Sequence, residues 1–313
     1  MPENTGPVVL VAGPTAVGKS AVALAIAVRA DGEILAADSM QVYRGLDIGT
    51  AKPGPDERAR VPHHLIDLVG PGEGFDARRW LDASRVAAAD VRDRGRLPIF
   101  CGGTGLYFRA WVEGLDELPS ADAALRRALE ASPLEGLLAE LEAGDPATFA
   151  RIDRRNPRRV VRAVEILRLG GGVSEARRTG EPASETRPGP LFVLRRRPDD
   201  LRRRMETRVD AMFDAGLVDE TRELLKAGLA ENPVALQAIG YRQVVEYLRG
   251  ERDLAATRAL VKTKTWQYGR RQMTWFRHRD GVHWIDVEPE EDPEGTALRI
   301  LGHPARAKPT ADG

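Results

Sequence analysis

The chain has a single cysteine, Cys101, among its 313 residues. One cysteine cannot form an intramolecular disulfide framework or a zinc site that needs several cysteines. Cys101 also lies in an apolar stretch, which is more typical of a buried small side chain than of a nucleophile. The sequence therefore excludes a disulfide-stabilised scaffold and does not favour a thiol enzyme.

The sequence also lacks long hydrophobic stretches and an excess of either charge. No apolar stretch approaches the roughly 18 residues that a bilayer-spanning helix needs, and no secretory signal is recognisable. We therefore expect a cytoplasmic protein with no membrane partner. The 47 basic and 47 acidic residues cancel, so a nucleic-acid partner has to be argued from local clusters of charge.

The most informative segment is a glycine-rich loop at 13–20. It fits the phosphate-binding pattern of Gly, four residues, Gly, Lys and then Ser or Thr. Its residues are Gly13, Pro14, Thr15, Ala16, Val17, Gly18, Lys19 and Ser20. The apolar run 8–12 predicts a strand before it, and the alanine-rich run 21–30 predicts a helix after it, so backbone N–H groups would face an anion. Lys19 would lie near the outer phosphate, and the Ser20 hydroxyl could bind Mg²⁺.

Strands and helices alternate in the first part of the chain. Further strands are predicted at 33–37, 65–69, 97–101 and 191–194, and helices at 80–94 and 253–277. This pattern predicts an α/β fold with a P-loop NTPase-like parallel sheet. Ligands of such sheets bind beyond the carboxyl ends of the strands. The loop 13–20, Asp38 and Thr104 should therefore lie at one edge of the sheet.

The pattern changes near residue 120, after which only helices are predicted up to about residue 170. Asp145-Pro146 and Asn156-Pro157 are typical helix starts, with a capping residue followed by proline. We therefore expect a catalytic core from 1–119 and 191–286 and an inserted all-helical subdomain at 120–190. The composition of 287–313 predicts a disordered tail.

The loop does not by itself identify a reaction. Most phosphate loops serve nucleotide hydrolysis or phosphoryl transfer, and a small-molecule kinase that consumes ATP remains an alternative. The strand at 97–101 ends in Gly-Gly-Thr instead of a magnesium-binding Asp, and a guanine-reading motif is absent, which argues against a GTPase. Asp38 could accept a proton from an acceptor or could simply cap a turn.

Longer segments resemble the signature of bacterial tRNA dimethylallyltransferases, also called tRNA isopentenyl transferases. The matching segments follow one another in the order 38–53, 63–67, 102–107, 240–243 and 272–276. The resemblance extends from about Val8 to Asp286, and several motifs in one order are more specific than a phosphate loop alone.

The resemblance implies transfer of a dimethylallyl group from dimethylallyl diphosphate to N6 of the adenosine 3′ of the tRNA anticodon. The phosphate loop, in particular 15–20, would bind the leaving diphosphate together with Mg²⁺. Asp38 would accept the amine proton, Thr104 would place the diphosphate or the base, and Arg208 would lie near the diphosphate. The residues implied to contact the anticodon stem-loop or its bases are Ser39, Met40, Gln41, Arg126, Arg158, Arg159, Val160, Val161, Arg162 and Arg242.

The sequence leaves the role of three segments open. The arginines of 158–162 could form a solvated helix face, although the resemblance favours RNA. Basic and aromatic residues alternate in 262–271, which suits either stacking on nucleic acid or an amphipathic helix with Trp266 in the core. The role of the arginine-rich stretch 195–204 stays open. We expect the protein to be a monomer.

Overall fold

The computed structural model describes residues 7–116, 118–119, 122–173 and 189–306. These residues fall into two compact units, one within 1–112 and 185–313 and the other within 113–184. The second unit therefore begins about one α-helical turn or two before the boundary that the sequence predicts at residue 120.

The first unit contains a six-stranded sheet in which every pairing is parallel. Its strands are β1 Val9–Ala12, β2 Gly32–Ala37, β3 His63–His64, β4 Leu97–Gly102, β5 Leu191–Arg195 and β6 Val282–Asp286. The order across the sheet is β3-β2-β4-β1-β5-β6. Every residue of β1 is buried, which explains why a central parallel strand has a continuous apolar sequence. This sheet confirms the predicted fold class.

Thirteen α-helices are resolved among the described residues. They are α1 Lys19–Arg29, α2 Pro55–Arg60, α3 Ala77–Asp93, α4 Gly105–Glu113, α5 Ala123–Glu130, α6 Leu134–Gly144, α7 Pro146–Phe149, α8 Pro157–Arg168, α9 Pro198–Asp214, α10 Leu217–Lys226, α11 Tyr241–Leu248, α12 Leu254–Arg277 and α13 Pro293–Leu301. Short 3-10 helices occupy Leu229–Glu231, Ala235–Gln237 and Pro304–Arg306.

The strand predicted at 65–69 is wrong. The structure has a strand of two residues just before it, at β3. Leu65 and Asp67 have φ angles of 64° and 57°, and a strand cannot continue through that left-handed conformation. Val69 forms only an isolated bridge with Tyr43.

The C-terminal segment is also more ordered than its composition predicts. Within the predicted tail 287–313, α13 packs against α1 and buries Ala297 and Ile300 completely. The Asp292 side chain caps this helix, and a proline occupies its first turn. These two features start a helix within a sequence that is otherwise rich in Pro, Glu and Gly. Residues 307–313 lie outside the described residues.

The described residues of the second unit form helices and no strand. The predicted caps are confirmed, because the side chains of Asp145 and Asn156 accept backbone N–H groups of Thr148 and Arg159 at 3.0 and 3.3 Å. The helices enclose a small hydrophobic core, to which α5, α6 and α8 contribute buried leucine and valine side chains. A core of its own allows this unit to fold as an insertion.

We expect Ile300→Ala to lower the free energy of unfolding by about 3 kcal/mol, because it leaves a cavity between α13 and α1. Leu298→Ala on the same helix is the matched control, since Leu298 is 49% exposed and should change stability by less than about 0.5 kcal/mol. Urea unfolding of the full chain measures both values. Equal small losses would mean that α13 contributes nothing to the core.

Candidate active site at the carboxyl ends of the strands

The phosphate loop connects β1 to α1 and depends on its two glycines. Gly13 has a φ angle of 147°, and a Cβ atom there would lie 2.7 Å from the carbonyl oxygen of Leu194. Gly18, directly before α1, has a φ angle of 110°. Only glycine adopts these conformations without strain, and the close approach keeps the loop against β5.

Two arginines of the stretch 195–204 hold the carbonyl groups of the loop. Arg196 Nε donates to the Val17 oxygen at 2.9 Å, and Arg204 Nε donates to the Ala16 oxygen at 3.0 Å. Asp200 orients Arg196 through a contact of 3.0 Å in which both side chains are less than a tenth exposed. Because these arginines bind the carbonyl oxygens of the loop, the carbonyl groups point away from the anion site. This orientation favours a loop whose backbone N–H groups point toward a bound anion.

Two desolvated cations lie beside the loop. The pKa of Lys19 is lowered to about 8, mainly by burial; Arg208 contributes to the lowering, while Cys101 and Asp38 oppose it. Lys19 Nζ donates to the Pro14 carbonyl oxygen at 2.7 Å. Burial also lowers the pKa of Arg208, and Asp38 opposes that shift. The Arg208 Nε atom is buried and has no hydrogen-bond partner among the described residues.

The two cations line one cavity of about 670 Å³. The cavity is also lined by Ser20, by Glu290 and by four further α9 residues with polar or charged side chains, namely Asp200, Arg203, Arg204 and Thr207. The Asp200 carboxylate is already paired with Arg196 and Arg203. An unpaired buried donor and a lysine with a lowered pKa are unfavourable without a ligand. The cavity is therefore suited to bind an anion with several negative charges.

Asp38 and Thr104 lie at the ends of the adjacent strands β2 and β4. Asp38 Oδ1 accepts the N–H of Met40 at 2.9 Å. Thr104 Oγ1 accepts the N–H of Ser39 at 3.0 Å, and the Thr104 N–H donates to the Ala37 carbonyl at 3.1 Å. Thr104 thus ties the acceptor-side turn to the neighbouring strand. Because Asp38 acts on the pKa of both Lys19 and Arg208, its carboxylate lies within electrostatic reach of the two cations.

The turn after Asp38 is held by a lysine that the sequence did not single out. The Lys52 side chain is 1% exposed, and its Nζ atom lies 2.6 Å from Asp47 Oδ1 and 2.7 Å from Asp67 Oδ1. It also donates to the Tyr43 carbonyl oxygen at 2.7 Å. Further along, Gln41 Nε2 donates to the Thr50 carbonyl at 3.2 Å. Gln41 is therefore partly engaged by the turn itself.

The candidate tRNA residues of the second unit are not equivalent. Val160 and Val161 are 0% and 5% exposed and belong to the hydrophobic core, so their side chains offer little surface to RNA. Their spacing places them on the apolar face of α8. Arg158 and Arg159 are exposed on the same helix.

Arg126 and Arg162 share one buried carboxylate, Glu165. Arg162 Nη1 lies 2.6 Å from Glu165 Oε2, Arg126 contacts the same oxygen, and Glu165 is 0% exposed. Glu165 Oε1 accepts the Asp122 N–H at 3.0 Å. Desolvation raises the pKa of Glu165, but the bonds to the two arginines outweigh it and leave the pKa below its usual value. Sequence reasoning missed the role of Glu165 because its contact with Arg126 joins two helices, α5 and α8.

Two further positions lie in the first unit. Arg242 is exposed at the start of α11 and pairs with Glu246 at 3.1 Å. Trp266 is half-buried on α12 and packs against the main core, which favours the amphipathic-helix interpretation of 262–271. Burial raises the pKa of Cys101 to about 11, so its thiol stays protonated, as expected for a packing residue.

A parallel sheet whose central strand leads into a phosphate-binding loop, with a carboxylate at the end of a nearby strand, defines an α/β protein with a P-loop-like fold. A family model described as "IPP transferase" matches residues 41–279. A second, described as "Isopentenyl transferase", matches residues 6–65. A tRNA dimethylallyltransferase of Anaeromyxobacter dehalogenans (strain 2CP-C) is 47% identical over 296 residues, which cover 93% of this chain and 98% of the relative.

Solved structures agree. The full-length tRNA isopentenylpyrophosphate transferase from Bacillus halodurans is 35% identical, with a TM-score of 0.70 and 94% of each chain covered. A eukaryotic dimethylallyltransferase, solved acting on tRNA, is 26% identical, with a TM-score of 0.76 over 90% of this chain and 73% of that one. The chain therefore belongs to the tRNA dimethylallyltransferases, which are prenyltransferase enzymes. None of the helices in the described ranges has the length and apolar character required to cross a membrane.

We expect inorganic diphosphate to be bound with uptake of protons near pH 8. About half of the Lys19 side chains are neutral there, because the pKa is about 8, and a bound anion raises that pKa. Calorimetry in two buffers with different ionisation enthalpies measures the uptake. Above pH 8 the affinity should fall as Lys19 loses its charge.

Lys19→Arg is the matched control, since a guanidinium stays charged throughout this range. Any proton exchange of the diphosphate itself occurs with both proteins and cancels in the comparison. Equal proton uptake by the two proteins would contradict a lowered pKa at Lys19.

Proposed function

We propose that the protein transfers a dimethylallyl group from dimethylallyl diphosphate to N6 of the adenosine 3′ of the tRNA anticodon. The observation that carries this proposal is the placement of Lys19 and Arg208 beside the phosphate loop, with Asp38 within electrostatic reach of both. One side of the site suits a leaving diphosphate, and the other suits an acceptor that loses a proton.

The donor side would act on the leaving group. When the allylic C–O bond breaks, negative charge develops on the diphosphate, and fixed donors stabilise that charge in the transition state. Lys19, Arg208 and the loop N–H groups are such donors. Ser20 lines the same cavity, and its hydroxyl is an oxygen ligand of the kind that Mg²⁺ takes together with phosphate oxygens. A bound Mg²⁺ would neutralise part of the diphosphate charge.

The acceptor side would position the amine and remove its proton. As N6 of the adenosine forms its bond to the dimethylallyl carbon, diphosphate departs with the electron pair of the C–O bond, and the amine proton passes to the Asp38 carboxylate. The Met40 N–H holds one oxygen of that carboxylate. We infer that Ser39, Met40 and Gln41 line the place of the target base, with Thr104 fixing their turn.

We further propose that the second unit binds the anticodon stem-loop. The target base has to leave its stack to reach Asp38, at a cost of a few kcal/mol, and loop bases are the ones that RNA-binding proteins most readily splay out. Arg158 and Arg159 are exposed and would bind phosphates. Carboxylates already pair with three other candidate arginines, namely Arg126, Arg162 and Arg242. These arginines would orient the RNA more than they would add net positive charge.

A small-molecule kinase is the alternative, since it would use the same loop and an acceptor-side carboxylate. Membership of the tRNA dimethylallyltransferases favours prenyl transfer. The decisive experiment is mass spectrometry of nucleosides from unmodified tRNA incubated with the protein, Mg²⁺ and dimethylallyl diphosphate. N6-dimethylallyl adenosine supports the proposal, and its absence with folded protein would favour ATP-dependent chemistry.

We expect Asp38→Asn to lower turnover by about 10²- to 10⁴-fold, the range for loss of a general base. Its affinity for tRNA should stay within about threefold, because the amide keeps the size of the side chain and its bond to Met40. The control is Asp56→Asn, at an exposed position on α2. Normal turnover of Asp38→Asn would exclude Asp38 as the base.

We expect the double variant Arg158→Ala/Arg159→Ala to bind tRNA more weakly and with less dependence on salt. The slope of log affinity against log salt should fall by about 1.5 in magnitude, or 0.7 to 0.9 for each lost phosphate contact. Arg168→Ala on the same helix is the control, since Arg168 is paired with Glu140 at 2.7 Å. An unchanged slope in the double variant would assign both arginines to a solvated helix face.

A further inference from the structure

Gln272 on α12 connects the donor side of the candidate site to the acceptor side. Its Oε1 atom accepts the N–H of Thr15, in the phosphate loop, at 3.0 Å. Its Nε2 atom donates to the carbonyl oxygen of Gly103, after β4, at 2.9 Å. Gly103 directly precedes Thr104, whose hydroxyl accepts the Ser39 N–H. One side-chain amide therefore links the phosphate loop to the segment that holds the turn after Asp38.

The surrounding backbone is shaped to admit this amide. Gln272 is 7% exposed, and a Cβ atom at Gly103 would lie 2.2 Å from its Nε2 atom. One turn further along α12, Trp275 fits against Gly105, where a Cβ atom would lie 2.4 Å from the indole ring. Gly103 and Gly105 thus let α12 approach closely enough for the bridge to form.

The Gln272 carboxamide satisfies both partners. The Thr15 N–H needs an acceptor and the Gly103 carbonyl needs a donor, and glutamine supplies one of each. A carboxylate would accept from Thr15 but repel the Gly103 carbonyl. An aliphatic side chain would leave two buried backbone groups unpaired.

We propose that Gln272 is a positioning residue that sets the distance between the phosphate loop and Thr104. This inference rests on the proposed function, in which the diphosphate and the acceptor amine must be aligned across that distance. The Thr15 N–H donates to Gln272, so Gln272 holds the beginning of the phosphate loop in place. An error of about 1 Å in such an alignment can cost about a hundredfold in rate.

The test compares Gln272→Met with Gln267→Met, a change at an exposed position on the same helix. We expect kcat of Gln272→Met to fall about a hundredfold, while KM for tRNA stays within about threefold because the second unit is untouched. Gln267→Met should behave as wild type. A melting temperature that falls while kcat stays within about threefold would make Gln272 merely structural and overturn the proposal. If Gln272→Met does not fold, Gln272→Glu, which keeps the size and loses the donor, replaces it with the same expected loss.

A second readout does not depend on prenyl transfer. We expect Gln272→Met to bind inorganic diphosphate with Mg²⁺ about tenfold more weakly than wild type, in line with the loss of one hydrogen bond that shapes the loop. If wild-type protein makes no prenylated adenosine, the proposed function fails, and this affinity still decides whether Gln272 positions the loop. If both the diphosphate affinity and kcat of Gln272→Met were unchanged, Gln272 would not be a positioning residue.

Discussion

The site depends on partly burying two positive charges without a full complement of anions. A desolvated cation is unfavourable unless an opposite charge or a ligand compensates it. Lys19 and Arg208 both have lowered pKa values because of burial, and Asp38 opposes the shift in each case. The Arg208 Nε atom has no hydrogen-bond partner among the described residues, so the site retains a demand for negative charge, which a diphosphate would meet.

The features around this pair serve to keep it in place. Glycines at positive φ bring the phosphate loop close to β5, and Arg196 and Arg204 bind its carbonyl groups. On the other side, buried Lys52 holds the turn that follows Asp38. The phosphate loop and the turn after Asp38 are therefore braced separately. Gln272 links the phosphate loop to Gly103, next to the threonine that holds this turn.

The segments that resemble the family signature are partners in space. Within 38–53, the N–H of Gly49 donates to the Tyr241 hydroxyl at 3.0 Å, and Tyr241 belongs to the segment 240–243. Within 102–107, Gly103 and Gly105 receive Gln272 and Trp275. Motifs far apart in sequence thus contact one another in two pairs, 38–53 with 240–243 and 102–107 with 272–276. This arrangement gives a physical reason for their occurrence together.

Local rules predicted the parts of the fold that local chemistry decides. The phosphate loop, the apolar strand β1 and the caps at Asp145 and Asn156 follow from spacing, burial and capping, and all are found. The two-residue strand β3 was missed because the backbone at Leu65 turns left-handed. Helix α13 was missed because packing against α1, which a local pattern does not reveal, stabilises it.

The roles of Gln272 in the first unit and Glu165 in the second could not be predicted for the same reason. Gln272 contacts Thr15 across 257 residues of sequence, and Glu165 contacts Arg126 across 39. No local spacing predicts either long-range contact, although the pairing of Glu165 with Arg162 within α8 is local. Val160 is the opposite case: the family resemblance singled it out as an RNA contact, but its side chain is buried in the core.

The central claim is that the phosphate loop holds a leaving diphosphate rather than a nucleotide to be cleaved. The most direct measurement quantifies inorganic diphosphate and prenylated adenosine in the same reaction, with tRNA, dimethylallyl diphosphate and Mg²⁺ and without ATP. The account predicts equal amounts of the two products at every time point. Prenylated adenosine that forms only when ATP is added and cleaved would contradict it.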